Sequence, residues 1–300
     1  MKILVTGHHG FIGTRLVQQL KKQGYDVTGY DIVDGDDTRD KFNLDKVMGE
    51  GQFDAVIHLA ARAGVLKSIE YPSEYISTNI EGTANVISAC EKHGCDNLIF
   101  FSSSSVLGGN SDSEKGLAEC APYNPISNYG VTKVTGEMLV KNSDLNWFIV
   151  RPFSVYGENG RKDMVVYKWI EKINSGKEIP FYGDGKSARG YTYVGDLVEG
   201  VCSLVKKMPD YSSESPEIAR VFHLGGAEVI TLDKMEKIFT KICEKKKIWC
   251  NFDRIPAQKE DISYSFANIL KAGYVLKYNP KKRFKKVLTK ILKESLCKMK

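Results

Sequence analysis

The stretch that most constrains this chain lies in its first thirteen residues. Lys2–Thr6 is a short apolar and β-branched run. Gly7-His8-His9-Gly10-Phe11-Ile12-Gly13 follows at once, and then Leu16, Val17 and Leu20 recur at helical spacing. A strand, a glycine turn and a helix in that order form the first βα unit of a parallel sheet. Gly7 permits the tight turn, Gly10 lets backbone approach a pyrophosphate, and Gly13 lets the helix pack closely on the strand. The helix start, with Phe11 and Ile12, would offer N–H donors and the positive end of its dipole to phosphates. His8 and His9 are neighbours inside the turn. They are expected to point apart as exposed loop residues, with no metal cluster around them.

The second strand, Val27-Thr28-Gly29-Tyr30-Asp31, ends in an acid. A carboxylate there would accept hydrogen bonds from an adenosine ribose and repel a 2′-phosphate, so NAD is favoured over NADP. The plain alternative is a surface-turn aspartate among Asp34, Asp36 and Asp37. Residues 55–61 form an unbroken apolar run, as expected of a parallel strand buried on both faces, with His58 packed inside it. A helix over residues 75–92 leads to the strand Asn97–Phe101, which runs into Ser102-Ser103-Ser104-Ser105. Serines at the carboxyl end of a parallel strand sit where open α/β sheets bind ligands. Further on, Tyr129 and Lys133 fall four apart, on one face of one helix. An ammonium beside a phenol favours the phenolate, a base able to take a proton from a hydroxyl near neutral pH.

Composition excludes several classes. Hydrophobic content of 42% and charged content of 27% are ordinary for a soluble domain. No apolar run is long enough to span a membrane, and the N-terminus enters a strand with no cleavable signal pattern, so a cytoplasmic location is expected. Seven cysteines (Cys90, Cys95, Cys120, Cys202, Cys243, Cys250 and Cys297) are scattered without Cys-x-x-Cys spacing. That pattern suggests reduced thiols and neither a disulfide frame nor a zinc site. The net charge of +6 gathers in the tail from residue 277 onward. There Phe284, Val287, Leu288, Ile291 and Leu292 recur at helical spacing, as in an amphipathic helix docked on the body with a solvated basic face. No nucleic-acid or membrane partner is expected from it.

Taken in order, these motifs resemble the extended short-chain dehydrogenase/reductase family, in its nucleotide-sugar epimerase/dehydratase branch. The resemblance is carried by Gly7-x-x-Gly10-x-x-Gly13, Asp31, His58-Leu59-Ala60-Ala61, Asn79 in Ser77-Thr78-Asn79-Ile80-Glu81-Gly82-Thr83, the serine stretch ending in Val106-Leu107-Gly108, and Tyr129-x-x-x-Lys133. It continues through Arg151-Pro152-Phe153-Ser154-Val155-Tyr156-Gly157 and Arg189-Gly190-Tyr191-Thr192-Tyr193-Val194-Gly195-Asp196. It implies an NAD site built from the glycine turn, Asp31, Leu59, Ala60, Ala61, Asn79, Ser102, Tyr129 and Lys133. It also implies Tyr129 as the base at the sugar 4-hydroxyl, Lys133 as the group that holds the nicotinamide ribose and keeps Tyr129 acidic, and Ser103 as hydrogen-bond partner of the reacting oxygen. Dehydratases of the branch carry Asp and Glu at the next two positions, and its decarboxylases a Glu at the second. Ser104 and Ser105 stand here instead, which leaves oxidation at C4 and return of the hydride to the other face. That is 4-epimerisation.

The later residues resemble UDP-glucuronate 4-epimerases most. Arg161, with Ser104, Ser105 and Ser154, would bind the uronate carboxylate, for which an arginine fork is suited. Arg189 would reach the diphosphate. Tyr182, Val165 and Val166 are either base and ribose contacts or apolar packing. Asp163 is expected to cap the helix that follows it, and Thr231 the helix after it. Gln258-Lys259-Glu260-Asp261-Ile262, with Ala267 and Lys271, resembles a late substrate-domain motif. Two departures stand out. Leu66 occupies a position where relatives carry arginine, with Lys67 as a substitute. The segment from Asp31 to Asp37 is short, leaving Asp37 and Thr38 as adenine-side contacts. The expected architecture is α/β, a Rossmann-type doubly wound parallel sheet with a smaller C-terminal α/β lobe. Residues 1–152 and about 192–225 would bind NAD, and about 153–191 with 226–300 would bind a UDP-sugar. A homodimer through the helices at about 75–92 and 129–141 is implied by the resemblance. UDP-glucose and UDP-N-acetylglucosamine 4-epimerases, a dehydratase or decarboxylase, and a silent NAD-binding regulator are the rival readings.

Overall fold

The computed structural model describes residues 1–109, 116–212, 214–257 and 262–297. Residues 258–261 of the late substrate-domain motif and the side chain of Cys297 lie outside what is described. The other six cysteines are free.

Six parallel strands form the central sheet. Across it they run Val221–Leu224, Asn146–Pro152, Asn97–Phe101, Ala55–His58, Lys2–Thr6 and Asp26–Tyr30. The first strand is thus flanked by the second and the third. The chain reverses its direction of travel across the sheet at that junction, and the crevice above such a switch point is where open α/β sheets hold ligands. The apolar runs explain the layering. Ile3, Val5, Ile57, Ile99, Phe148 and Phe222 face one core, packed under helices Phe11–Lys22 and Val194–Lys207. Leu4, Val56, Leu98, Phe100 and Ile149 face the other. Alternate residues of one strand feed opposite cores, as the two-residue period of a strand requires.

A third core belongs to the C-terminal lobe. It joins Trp169, Phe181, Phe239 and Ile230 to Phe284, Val287, Leu288, Ile291 and Leu292. The amphipathic reading of the tail is therefore correct: helix Phe284–Cys297 buries its apolar stripe. One part of the tail departs from the expected division. Ala272, Leu276 and Tyr278 join the core beneath the sheet, so the chain returns to the first layer once more before its last helix.

The helix expected over residues 75–92 begins earlier, at Pro72 in the first turn of Pro72–Ile76, and contains a π-helical segment, Ser77–Glu81, before Gly82–Lys92. A π turn inserts an extra residue and swings one side chain out of register. Here the segment contains Asn79. No helix among the described residues is long and apolar enough to cross a membrane.

Candidate active site

A cavity of about 460 Å³ opens above the carboxyl ends of the sheet. Gly7, Gly10, Phe11, Ile12, Gly13, Leu59 and Ala61 line one side, and Ser102, Ser103, Ser104, Ser105, Tyr129, Lys133, Ser154 and Arg161 the other. The glycine side is shaped for close approach. Gly7 has φ +71, and a Cβ there would lie 2.7 Å from the Ala60 nitrogen. A Cβ at Gly13 would lie 2.2 Å from the Gly7 carbonyl oxygen. The helix that follows has Gly10 as its cap, receives no side-chain cap bond and carries no acid in its first turn. Its N-terminal donors and dipole thus meet no competing carboxylate, which fits a bound pyrophosphate.

The residues expected around adenosine hold loops. Asp31 accepts from the backbone N–H of His9 at 2.9 Å and of Val33 at 3.1 Å, stapling the glycine turn to the end of the second strand. Asp37 is gripped by Arg39, which keeps its carboxyl below the usual range. Thr38 is buried against Gly82. Asn79 accepts from the Arg62 N–H at 2.7 Å and donates to the Arg62 carbonyl and to Thr132 Oγ1. It pins the loop after the third strand onto the helix that carries Tyr129. None of these four side chains lines the cavity.

The two turn histidines do not point apart. Their ring centroids are 4.0 Å from each other, and Asp34 lies 3.3 Å from His8 Nε2 and 3.0 Å from His9 Nε2. The helical turn Ile32–Asp34 brings that acid back over the glycine loop. His8 Nδ1 is buried and finds no hydrogen-bond partner among the described residues. His9 Nε2 is hydrogen-bonded to both Asp34 carboxylate oxygens at 3.0 Å. Asp34 thus gathers both rings over the turn. His58, by contrast, is the packed strand residue expected: Thr6 and Thr83 hydroxyls meet its two nitrogens at 2.7 and 3.0 Å, and burial pushes it down to about 3, hence neutral.

Helix Asn128–Lys141 presents Tyr129, Lys133 and Glu137 on one face, one turn apart. Ser127 caps it by accepting from the Gly130 N–H, and Ser68 Oγ accepts from the Tyr129 N–H at 3.0 Å. Burial raises the Tyr129 phenol, while a hydrogen bond with Ser103 and the charge of Arg161 pull it back. Ser103 is itself fixed by the Ser105 N–H at 3.1 Å. The expected action of Lys133 on Tyr129 is not what this geometry provides. Lys133 Nζ donates to the Phe101 carbonyl at 2.8 Å, and burial lowers it to about 8, with Glu137 opposing. The groups that make Tyr129 more acidic here are Ser103 and Arg161.

Glu137 is the residue sequence reasoning missed. It is fully buried and accepts four hydrogen bonds: from Ser102 Oγ at 2.5 Å, Tyr123 at 2.6 Å, and Arg151 Nε and Nη2 at 2.8 and 2.7 Å. It ties the serine end of one strand to the arginine of the next. The available signal was its place one turn beyond Lys133, on the same face.

A second cavity of about 250 Å³ lies in the C-terminal lobe, lined by Tyr182, Arg189, Val165, Ser187, Asp163 and Trp169 among others. Arg189 and Tyr182, the residues expected at the nucleotide end, both line it. Val166 does not: it is wholly buried in the lobe core, and its neighbour Val165 faces the cavity. Adjacent helical residues point about 100° apart, so only one could face it. Asp163 does not cap helix Val165–Asn174, which has no side-chain cap; it binds Arg161 instead. Leu66 and Lys67 are exposed and do not line the first cavity. Ser154 has a left-handed φ of +36, unusual for a residue with a side chain, at the rim where it meets the cavity.

The chain is similar to known proteins over almost its whole length. A UDP-glucuronate 4-epimerase of Thermodesulfobacterium geofontis is 31% identical, over 92% of this chain and 90% of that one. A UDP-glucuronic acid 4-epimerase from Bacillus cereus, solved in complex with UDP-glucuronic acid and NAD, superposes with a TM-score of 0.85 at 29% identity, covering 98% of this chain and 99% of that one. A UDP-glucose 4-epimerase from Thermotoga maritima, solved with UDP-glucose, gives 0.86 at 26% identity, covering 99% and 100%. Residues 3–219, from the first strand to beyond the helix Val194–Lys207, match a single family description: this chain belongs to the NAD dependent epimerase/dehydratase family.

Proposed function

We propose that the protein is an NAD-dependent nucleotide-sugar 4-epimerase, an isomerase that interconverts UDP-glucuronate and UDP-galacturonate. The observation that carries this reading is one cavity holding Tyr129, Ser103 and Lys133 together with two further serine hydroxyls and Arg161. Bound NAD, held by the glycine turn, Leu59, Ala61 and Lys133, would supply the acceptor and later the donor of hydride at C4. Tyr129 takes the proton of the 4-hydroxyl and returns it, and Ser103 hydrogen-bonds the same oxygen. Ser104 and Ser105 offer no acid or base for eliminating water or assisting loss of carbon dioxide. The intermediate is left to be reduced on its other face. Arg161, with Ser104, Ser105 and Ser154, receives the uronate carboxylate. Arg189 and Tyr182 take the nucleotide end.

The same residues serve a neutral UDP-sugar, and one observation favours that second reading: the Arg161 fork already holds a carboxylate, that of Asp163. A silent regulator would need no base, and the Ser103–Tyr129 contact argues against it. Ile76, Val131 and Met138 are exposed apolar residues on the two helices expected to pair, which supports a homodimer through them. We assign residues 1–152 and about 192–225 to cofactor binding, much of the remainder to the sugar nucleotide, and the protein to the cytoplasm. The test is a panel of UDP- and dTDP-sugars incubated with the NAD-loaded protein and read by NMR. UDP-galacturonate formed from UDP-glucuronate without loss of water or carbon dioxide is expected. Turnover of neutral sugars alone defeats the uronate assignment, and no turnover favours the regulator.

A further inference from the structure

Arg161 and Asp163 flank Lys162 on the segment that enters helix Val165–Asn174, and they face each other as a fork. Arg161 Nε donates to Asp163 Oδ1 at 3.0 Å, and Nη2 to Oδ2 at 2.5 Å. Both side chains are a little over one-third exposed, and such a half-solvated pair holds weakly. Among the described residues Asp163 accepts from Arg161 alone.

The place of the pair is unusual. Arg161 lines the cavity of Tyr129 and the serines, and Asp163 lines the cavity of Tyr182 and Arg189. The ion pair therefore stands at the seam between them. It also closes against the loop that follows the third strand. A Cβ built on Gly64 would lie 3.0 Å from Asp163 Oδ2 and 3.1 Å from Arg161 Nη2, and Gly64 has φ +115. A ligand with its sugar at Tyr129 and its nucleotide at Tyr182 must pass this seam.

We infer that Asp163 is a specificity-determining counter-anion, which fills the Arg161 fork until a uronate carboxylate displaces it. The inference rests on the reading of Arg161 as the uronate contact. The exchange trades one carboxylate for another, so the guanidinium is never left unpaired at the edge of the cavity. Asp163 can swing into water, because no other described residue holds it. A neutral hexose brings no competing anion and leaves the pair closed. Discrimination between charged and neutral sugars is then set by how strongly Asp163 competes, and not by Arg161 alone.

The test is isothermal titration of the NAD-loaded full chain with UDP-glucuronate and with UDP-glucose, for wild type, Asp163→Asn and Asp163→Ala. Removing the competing charge is expected to tighten UDP-glucuronate about three- to fivefold, the upper part of the scale of a partly exposed ion pair. UDP-glucose should stay within about twofold, because a weak exposed pair is all that changes for it. The asparagine keeps the shape of the side chain, and the alanine shows that the effect follows the lost charge. Weaker binding of UDP-glucuronate by both variants would make Asp163 a brace for Arg161 and overturn the inference. A parallel shift for both sugars, or none, overturns it and leaves the proposed function standing. A wild-type protein that binds UDP-glucose but no UDP-glucuronate overturns both.

Discussion

Replacing Glu137 by glutamine should unlock the site from beneath. Glu137 is fully buried and receives four donors, two of them from the Arg151 guanidinium, which is 2% exposed. Glutamine preserves the shape but removes the charge and turns an N–H₂ toward those donors. Breaking one partner of a buried ion pair costs about 3–5 kcal/mol, because the other charge stays buried without compensation. At this chain length each kcal/mol moves the melting midpoint by roughly 2 °C, so Glu137→Gln should melt roughly 6–10 °C lower. Turnover should fall as well, since Ser102 loses its anchor next to Ser103. The pH dependence has a definite sign. Burial pushes the Glu137 carboxyl up, but Arg151, Ser102 and Tyr123 more than offset it and hold it below the usual range. Its contribution is therefore complete above the unfolded carboxylate value, about 4.3, and is lost as pH falls through the lower folded value. The gap between wild type and Glu137→Gln, followed by differential scanning calorimetry, should be constant from pH 5 to 7 and narrow only in more acid solution. A double variant, Glu137→Met with Arg151→Met, should recover much of the loss, because neither charge is then stranded. A Glu137→Gln protein that melts within about 2 °C of wild type, or a double variant less stable than the single, would refute the buried-pair reasoning.

Three further outcomes follow from the same geometry. Tyr129→Phe should lower turnover by about 10²- to 10⁴-fold, the usual worth of a positioned base, while the NAD-induced rise in melting temperature persists. Gly13→Ala would put a methyl 2.2 Å from the Gly7 carbonyl. The clash of about 1–3 kcal/mol exceeds the helix propensity gained, so stability and the NAD-induced shift should both fall. Lys133 is lowered to about 8 by burial. Its ammonium is then lost as pH rises past that value, and kcat/KM should decline on a limb near pH 8. Because the unfolded lysine keeps its proton up to about 10.4, the lysine's own stability contribution improves between those two values. A profile flat to pH 10 contradicts the assignment.

Much of this was legible in the residues. The glycine turn could be read because Gly7 and Gly13 meet backbone at distances that exclude any side chain. The serine stretch and the Tyr129 helix could be read because a parallel strand's carboxyl end is a fixed address in the fold. What escaped depended on neighbours distant in sequence. Glu137 belongs to no motif, and only Arg151 and Tyr123 closing on it give it a role. Val165 and Val166 differ only in helical phase, which the pattern of two adjacent valines cannot give. His8 and His9 converge because the turn after Asp31 folds back over them. Asp163 had the sequence position of a helix cap and took the charged partner two residues away instead.

The central claim is oxidation at C4 with return of the same hydride. UDP-glucuronate carrying deuterium at C4, incubated with the NAD-loaded protein in ordinary water, tests it most directly. The account predicts UDP-galacturonate with the deuterium still at C4, read by NMR and mass spectrometry. Epimer that has lost its deuterium to solvent, or recovery of unchanged substrate, would contradict it.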